Sequence, residues 1–395
     1  MNILIIHQYF RTPEEGGAMR SYYIADHLSK LGHKVKVITA YNHHQYSVKK
    51  VANFEVHYLP VYYTNHLSFW SRIHAFWLFA FYAMRLMKKL RPVDINYVIS
   101  TPLTTGLVGL YGKKMFAIPY LFEVGDLWPD APIQLGVLKN PFLVWLAYKL
   151  ERKIYGNAKM TVGLSPDIKR IIESKNPGYE VGMVSNMADL QLFSDRTKDE
   201  RISEELELEG KFVISYTGTI GLANHLEYLV DVAKACSDHE RVRFLVMGAG
   251  AQLEKIQKQA EGLKNISFIP PGDKRKVKRI LSVSDAIYIS FKKVPILSSG
   301  CPNKLFDGLA AGKLIIVNFE GWVKDLVEDQ ECGFYHDPGR PGDFIERLKV
   351  YLDNPDHLKN SQKRASKLAA ERYSVEKQMQ RLDEIVERLS NLGSG

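Results

Sequence analysis

The stretch Gly300-Cys301-Pro302-Asn303-Lys304-Leu305-Phe306-Asp307-Gly308-Leu309-Ala310-Ala311-Gly312-Lys313, followed at once by Leu314-Ile315-Ile316-Val317, holds the residues best suited to chemistry. Its pattern predicts a loop, a short helix opening at a lysine, a glycine stop and a buried strand. A helix that begins with a basic residue directs free backbone N–H groups, a positive dipole end and an ammonium at one point. That combination seats a phosphate. Asp307, one turn beyond Lys304 on the same face, is placed to accept hydrogen bonds from ribose hydroxyls. The plainer alternative is an ordinary loop–helix–strand unit with a solvated lysine.

Elements able to position these residues recur along the chain. Asn2–Ile6 reads as a strand, followed by a polar loop with Gly16-Gly17, a helix from about Ala18 to Leu31, a stop at Gly32 and a strand over Lys34–Thr39. Further apolar runs lie at Ile95–Ser100, Tyr120–Glu123 and Met160–Leu164. The pattern restarts with Phe212–Thr217, ending in Gly218-Thr219-Ile220-Gly221, then a helix over Leu226–Cys236 and strands at Arg243–Met247, Ile266–Ile269, Ala286–Ile289 and Leu314–Val317. Strand–helix alternation of this kind predicts parallel sheets covered by helices, here as two doubly wound domains whose ligands bind in a cleft at the strands' carboxyl ends. The acid-rich stretch Ser194–Gly210 separates them, which puts the boundary near Leu190: a first domain over 1–190, a second over 191–372, and a terminal helix over 373–392. Neither glycine cluster is a dinucleotide fingerprint. Leu253 stands where Gly248-x-Gly250 needs a third glycine, and Gly16-Gly17 lacks the spacing. Gly16-Gly17 offers either close backbone approach to a ligand or a plain tight turn.

With 395 residues the chain is comfortable for two cores. Its formal charge of +9 is lopsided: Met1–Leu190 carries 22 Lys and Arg against 13 Asp and Glu, and the remainder carries 31 of each. A basic half on an otherwise neutral chain predicts a polyanionic partner, either nucleic acid or anionic lipid. No helix-turn-helix, zinc or RNA-binding signature accompanies it, which argues against nucleic acid. Cys236, Cys301 and Cys332 form no C-x-x-C pair, so a reduced, intracellular chain without structural zinc is expected. Because the sequence opens directly on an apolar strand, no signal peptide is expected, and the final Gly393-Ser394-Gly395 reads as a cloning remnant.

Four features in this order, Gly16-Gly17, Glu123-Val124-Gly125-Asp126-Leu127-Trp128-Pro129-Asp130, Gly218-Thr219-Ile220-Gly221 and Asn303–Lys313, resemble glycosyltransferase family 4 over nearly the whole chain. The resemblance implies a GT-B fold, two Rossmann-like domains facing across a cleft, with a C-terminal helix from Tyr373-Ser374-Val375-Glu376 onward crossing back to the first. It implies sugar transfer from a nucleotide donor, with retention and uridine as the base. Glu123–Asp130 is particularly similar to enzymes of bacterial O-antigen and capsule synthesis, among them acetamido-fucose transferases. The family's two glutamates, with seven residues between them, fall here on Ser299 and Asp307. Its Arg and Lys after the glycine strand are Thr219 and Asn224, and its histidine before Asp126 is Gly125.

With those cations missing, diphosphate charge falls to Lys304 and the backbone around Gly300–Asn303. No D-x-D is present, so no metal and no other cofactor is expected. The expected donor site is Lys304 on diphosphate, Asp307 on ribose, Gly218-Thr219 near the phosphates, Ile269-Pro270-Pro271 flanking the base, and Ser299, Gly300 and Asn303 around the sugar-diphosphate. Gly16-Gly17 are expected near the reacting sugar. Asp126, near the acceptor hydroxyl, reads as a general base, a hydroxyl binder, or a structural cap on the helix entered at Trp128-Pro129.

His66–Arg91 is rich in aromatic residues, and Ala75–Met84 is uncharged on every side. Ten residues are too few to span a bilayer, which takes about 20. The stretch reads as an interfacial helix, with Trp70 and Trp77 inserted and Arg72, Arg85, Lys88, Lys89 and Arg91 on lipid phosphates, each worth about 1 kcal/mol near an anionic leaflet. Trp128 joins this acceptor-side group. The alternative is a fully buried helix. The expected setting is cytoplasmic, on the inner face of the cell membrane, with a UDP-sugar donor and a polyprenyl-diphosphate-linked sugar acceptor. Two rivals are a UDP-sugar 2-epimerase of the same fold and a non-catalytic sugar-nucleotide-binding scaffold.

Overall fold

The structure is a computed structural model that describes residues 1–17, 19–64 and 67–391, with side chains through Arg388. Ala18 and His66, where two of the stretches above begin, and Leu392–Gly395, with the expected helix end and the terminal Gly-Ser-Gly, lie outside them. The chain forms two compact units. The first comprises 1–12, 18–185 and 379–395; the second comprises 13–17 and 186–378.

The first unit is built on β1 (Asn2–Ile6), α1 (Arg20–Lys30), β2 (Lys34–Tyr41), β3 (Ser47–Val51), β4 (Phe54–Pro60), α2 (Phe69–Leu90), β5 (Ile95–Ile99), α3 (Thr105–Phe116), β6 (Tyr120–Val124), α4 (Asp130–Gln134), α5 (Pro141–Asn157), β7 (Met160–Gly163), α6 (Pro166–Lys175) and β8 (Val181–Met183). Its eight strands lie in the order β3-β4-β2-β1-β5-β6-β7-β8, parallel except for β3 against β4. The central strand β1 pairs on both sides, Ile3 with Val35 and with Ile95, so its apolar run is buried on both faces. β3 is an exposed edge, and its SVKKV sequence carries the lysines that discourage edge pairing.

The second unit follows with α7 (Glu200–Glu205), β9 (Phe212–Thr217), α8 (Glu227–Ala235), β10 (Val242–Met247), α9 (Leu253–Gln259), β11 (Ile266–Ile269), α10 (Lys274–Ser282), β12 (Ala286–Ile289), α11 (Pro295–Ser298), α12 (Asn303–Ala310), β13 (Leu314–Val317), α13 (Trp322–Asp329), β14 (Gly333–Tyr335), α14 (Asp343–Leu352) and α15 (Pro355–Leu368). Its six strands are all parallel, in the order β11-β10-β9-β12-β13-β14. Strand periodicity divides β13 between two cores: Leu314 and Ile316 pack with Tyr216 and Tyr288, while Ile315 and Val317 pack with Phe306 and Leu309 of α12. The sheet thus seats α12 from behind.

The last helix, α16 (Val375–Asn391), belongs to the first unit from Met379 onward. His27 Nε2 lies 2.8 Å from Asp383, and the missing Cβ of Gly182 on β8 makes room for Ile385. Gly16 and Gly17, expected in the first domain, group with the second unit. A Cβ on Gly16 would stand 3.0 Å from the Asp273 Cα. They also precede the helix by a few residues, since α1 starts at Arg20.

Candidate functional site

In the second unit, α12 opens at Asn303 with Pro302 as its N-cap, which offers no side-chain cap to the first backbone N–H groups. Leu305, Phe306, Leu309 and Ala310 anchor it to the sheet. Gly308 lets it lie flat, because a Cβ there would meet Ile287 Cγ2 at 2.5 Å. Gly312 ends it with φ +64°, the left-handed stop expected, and Lys313 N–H returns to the Gly308 carbonyl.

Lys304 points from the first turn of α12 toward the glycine turn after β9. Its Nζ is 3.3 Å from the Tyr216 hydroxyl and 4.6 Å above that ring's centroid. A Cβ on Gly218, whose φ is +138°, would stand 3.3 Å from Lys304 Cε. Enclosure by protein lowers the Lys304 pKa to about 8, with Asp307 opposing the shift. A desolvated ammonium beside an open glycine turn and a helix N-terminus is equipped to receive an anion. Thr219, expected near the phosphates, is exposed on that turn, and its carbonyl accepts from the Tyr216 hydroxyl.

The turn itself depends on Gly248 and Gly250. A Cβ on Gly248 would lie 1.9 Å from the Gly218 carbonyl oxygen, and one on Gly250 2.3 Å from the Ile220 oxygen. The G-x-G after β10 is therefore a packing device that brings two strand-end loops together, sealed by Ile220 N–H to Ala249 O at 2.8 Å.

Asp307 is paired with a lysine of α10. Both its oxygens accept from Lys274 Nζ, at 2.6 and 2.7 Å, and the two side chains are only 11 % and 12 % exposed. Its carboxylate is thus paired with an ammonium, with lone pairs left to accept further hydrogen bonds. Lys274 is held there as the first residue of α10, whose N-cap Asp273 accepts from Lys276 N–H. Nothing in the charge run Lys274–Arg279 sets this lysine apart from the solvated ones beside it. Only the fold singles it out.

Other expected donor residues are placed as follows. Pro270 is exposed, and its carbonyl accepts from Lys276 Nζ. Ser299 is buried, its hydroxyl donating to the Ile296 carbonyl at 2.7 Å. Gly300 is also buried, and its carbonyl accepts from Trp322 Nε1. Asn303 is the first residue of α12.

In the first unit, Asp126 follows β6 and is exposed, its carboxylate accepting from Thr101 Oγ1 at 3.3 Å. Surrounding protein raises its pKa, and the Thr101 bond partly offsets that rise. No side chain caps α4, so the helix-cap reading of Asp126 is not met. Three residues earlier, Glu123 is fully buried. Arg20 grips it through Nε and Nη2 at 2.7 and 2.8 Å, Tyr97 donates at 2.5 Å, and Arg20 also donates to the Ser185 carbonyl. Beside this network, burial lowers the His7 pKa to about 4. Sequence reasoning passed over it, although a glutamate inside an apolar strand was a signal that a partner must exist.

α2 is neither buried all round nor apolar all round. Ala75, Phe76, Phe79, Ala80, Ala83, Met87 and Leu90 are buried, while Trp70, Trp77, Phe81, Arg85 and Lys88 form one exposed face, with the Arg85 guanidinium 5.6 Å from the Phe81 ring centre. Two expected members do not face out with them. Arg72 is half-buried and donates to the Leu67 carbonyl, and Trp128 is half-buried with its ring 6.0 Å from that of Phe76. No described helix is long and apolar enough to cross a membrane. Among the described residues no three His, Cys, Asp or Glu side chains cluster as metal ligands.

The fold is that of a class, the GT-B glycosyltransferases. Residues 15–186 match a glycosyl transferase 4-like domain and residues 197–370 match glycosyl transferases group 1, so both units carry a glycosyltransferase half. An uncharacterized glycosyltransferase of Haemophilus influenzae is 26 % identical over 177 residues, 43 % of this chain and 47 % of that protein, so the likeness spans about half its length. Among solved structures, sucrose-phosphate synthase of Thermosynechococcus elongatus superposes with TM-score 0.79 at 14 % identity, covering 99 % of both chains. Anabaena HepE in complex with UDP-glucose gives 0.71 at 15 %, covering 98 % of this chain and 100 % of that one. WaaG, a glycosyltransferase involved in lipopolysaccharide biosynthesis, gives 0.67 at 14 %, with 97 % and 99 % covered.

Proposed function

We propose that this glycosyltransferase moves an N-acetylated hexosamine or deoxyhexosamine from a UDP-sugar to a polyprenyl-diphosphate-linked sugar acceptor. The reaction retains anomeric configuration, needs no metal, and takes place at the inner face of the cell membrane in bacterial O-antigen or capsule synthesis. One observation carries the donor half of this reading: the half-buried Lys304 ammonium beside the Gly218 turn at the side-chain-uncapped start of α12. The nucleoside diphosphate seats there, and Lys304 stabilises charge on the departing diphosphate. A ribose reaching Asp307 has to share its carboxylate with Lys274, or displace that lysine toward the phosphates. HepE, solved with UDP and with UDP-glucose, supports uridine as the base. Asp126, with its raised pKa, serves the acceptor hydroxyl as base or hydrogen-bond acceptor. The exposed aromatic-cationic face of α2 supports a lipid-linked acceptor over the 2-epimerase alternative.

The test is thermal stability of the purified protein with UDP, GDP, ADP and NAD, repeated on Lys304→Ala and Lys274→Ala. UDP at 100 times its Kd should add about 2.7 kcal/mol, and the Lys304→Ala protein should lose that gain at the same concentration. No shift with any nucleotide sinks the donor assignment. The non-catalytic reading, favoured by Ser299 at the family's glutamate position, prevails if UDP binds but no donor–acceptor pair turns over.

A further inference from the structure

The first two turns of α5 carry apolar side chains that the protein leaves uncovered. Between Pro132 and Glu151 not one residue is buried, although the sequence over 141–147 reads Pro-Phe-Leu-Val-Trp-Leu-Ala. Phe142 is 66 % exposed and Trp145 52 %, their rings 6.0 Å apart and near parallel, and Leu146 lies open beside them. The segment is firmly built. Asn140 caps it by accepting from Phe142 and Leu143 N–H, and Pro141 takes the first helical position. Its far end is anchored by Glu151, Ile154 and Tyr155. A rigid, uncovered apolar knob on a folded domain marks an interaction surface.

Charge identifies the partner. No acidic residue occurs between Asp130 and Glu151, while Lys139 and Lys149 flank the knob, the Lys149 Nζ 5.0 Å from the Trp145 ring centre. The helix α3 packs against both α2 and α5, is itself free of acids, and bears Lys113 and Lys114 in its last turn. Asp130, the acid on this side, is engaged by the Tyr148 hydroxyl and by Lys175, and exposed aromatic side chains flanked by lysines complement an apolar layer topped by anionic headgroups. We infer that the N-terminal half of α5 is a second membrane anchor, inserting Phe142, Trp145 and Leu146 into an anionic bilayer while Lys139 and Lys149 meet lipid phosphates. This rests on the membrane-facing reading of the first unit, and it is independent of which sugar nucleotide the second unit binds.

The experiment is co-sedimentation of the full chain with phosphatidylcholine vesicles and with vesicles containing 30 % phosphatidylglycerol, at low and high salt, comparing wild type with F142S/W145S and with W70S/W77S. Expected is binding to the anionic vesicles alone, weakened at high salt and at least tenfold weaker in F142S/W145S, whose UDP response stays intact as a fold control. Brominated lipids should quench wild-type emission by an increment that W145F loses while still binding. If wild type binds and F142S/W145S binds equally well, the α5 anchor is wrong while the α2 face stands. If wild type binds neither vesicle, both membrane assignments fall. Self-association abolished by F142S/W145S, without vesicle binding, makes the occupant a second copy and overturns the inference.

Discussion

Lys304 sets the behaviour of the donor site with pH. Its pKa near 8 lies below the ordinary value of 10.5 because enclosure disfavours the charged form. The unfolded chain therefore holds the proton more tightly, and this group makes the free protein more stable as pH rises from about 8 toward 10.5. A diphosphate reverses the bias, since it favours the ammonium. UDP binding should accordingly take up a proton above pH 8 and little at pH 7, measured by calorimetry in buffers of differing ionisation enthalpy. Lys304→Ala should abolish the uptake and weaken UDP by roughly 10- to 100-fold, as for loss of a hydrogen bond to a charged group at about 1.5–3 kcal/mol. Uptake persisting in that variant would assign the proton elsewhere. Lys304 was legible in the sequence because its type coincides with a helix start. Lys274 was not, because a lysine in a charge run reveals its pairing with Asp307 only once two distant segments meet.

At the scale of elements, the donor site hangs on a loop pair. The Gly218 turn stays in place because the backbone after β10 approaches where no side chain fits. Gly248→Ala should force the two loops apart, destabilising the protein by about 2–4 kcal/mol and weakening UDP more than tenfold, by thermal unfolding and titration. A variant with wild-type UDP affinity would show that the turn does not shape the site. The strands of the second unit were readable from sequence because both faces are buried, which makes them unbroken apolar runs. β14 has three residues and β3 is a charged edge, so neither has a pattern to read. The exposed first half of α5 had no such mark, because an apolar run in sequence does not distinguish covering by protein from covering by something else.

For the molecule as a whole, the last helix is the unusual joint, since residues from Met379 onward complete the unit that the N-terminus begins. Met379, Leu382 and Ile385 are buried there, each worth about 1.5–3 kcal/mol. Truncation after Gln378 should destabilise the first unit by about 5 kcal/mol. Tryptophan emission during urea unfolding reads it selectively, because four of the five tryptophans, Trp70, Trp77, Trp128 and Trp145, belong to that unit. An unchanged midpoint would mean the helix is only draped on. The same joint governs birth of the chain at the ribosome. Domains usually fold N-terminal first during synthesis, but here β8 waits with the space beside Gly182 unfilled until α16 has emerged. The first unit is therefore completed only after the whole of the second has been made.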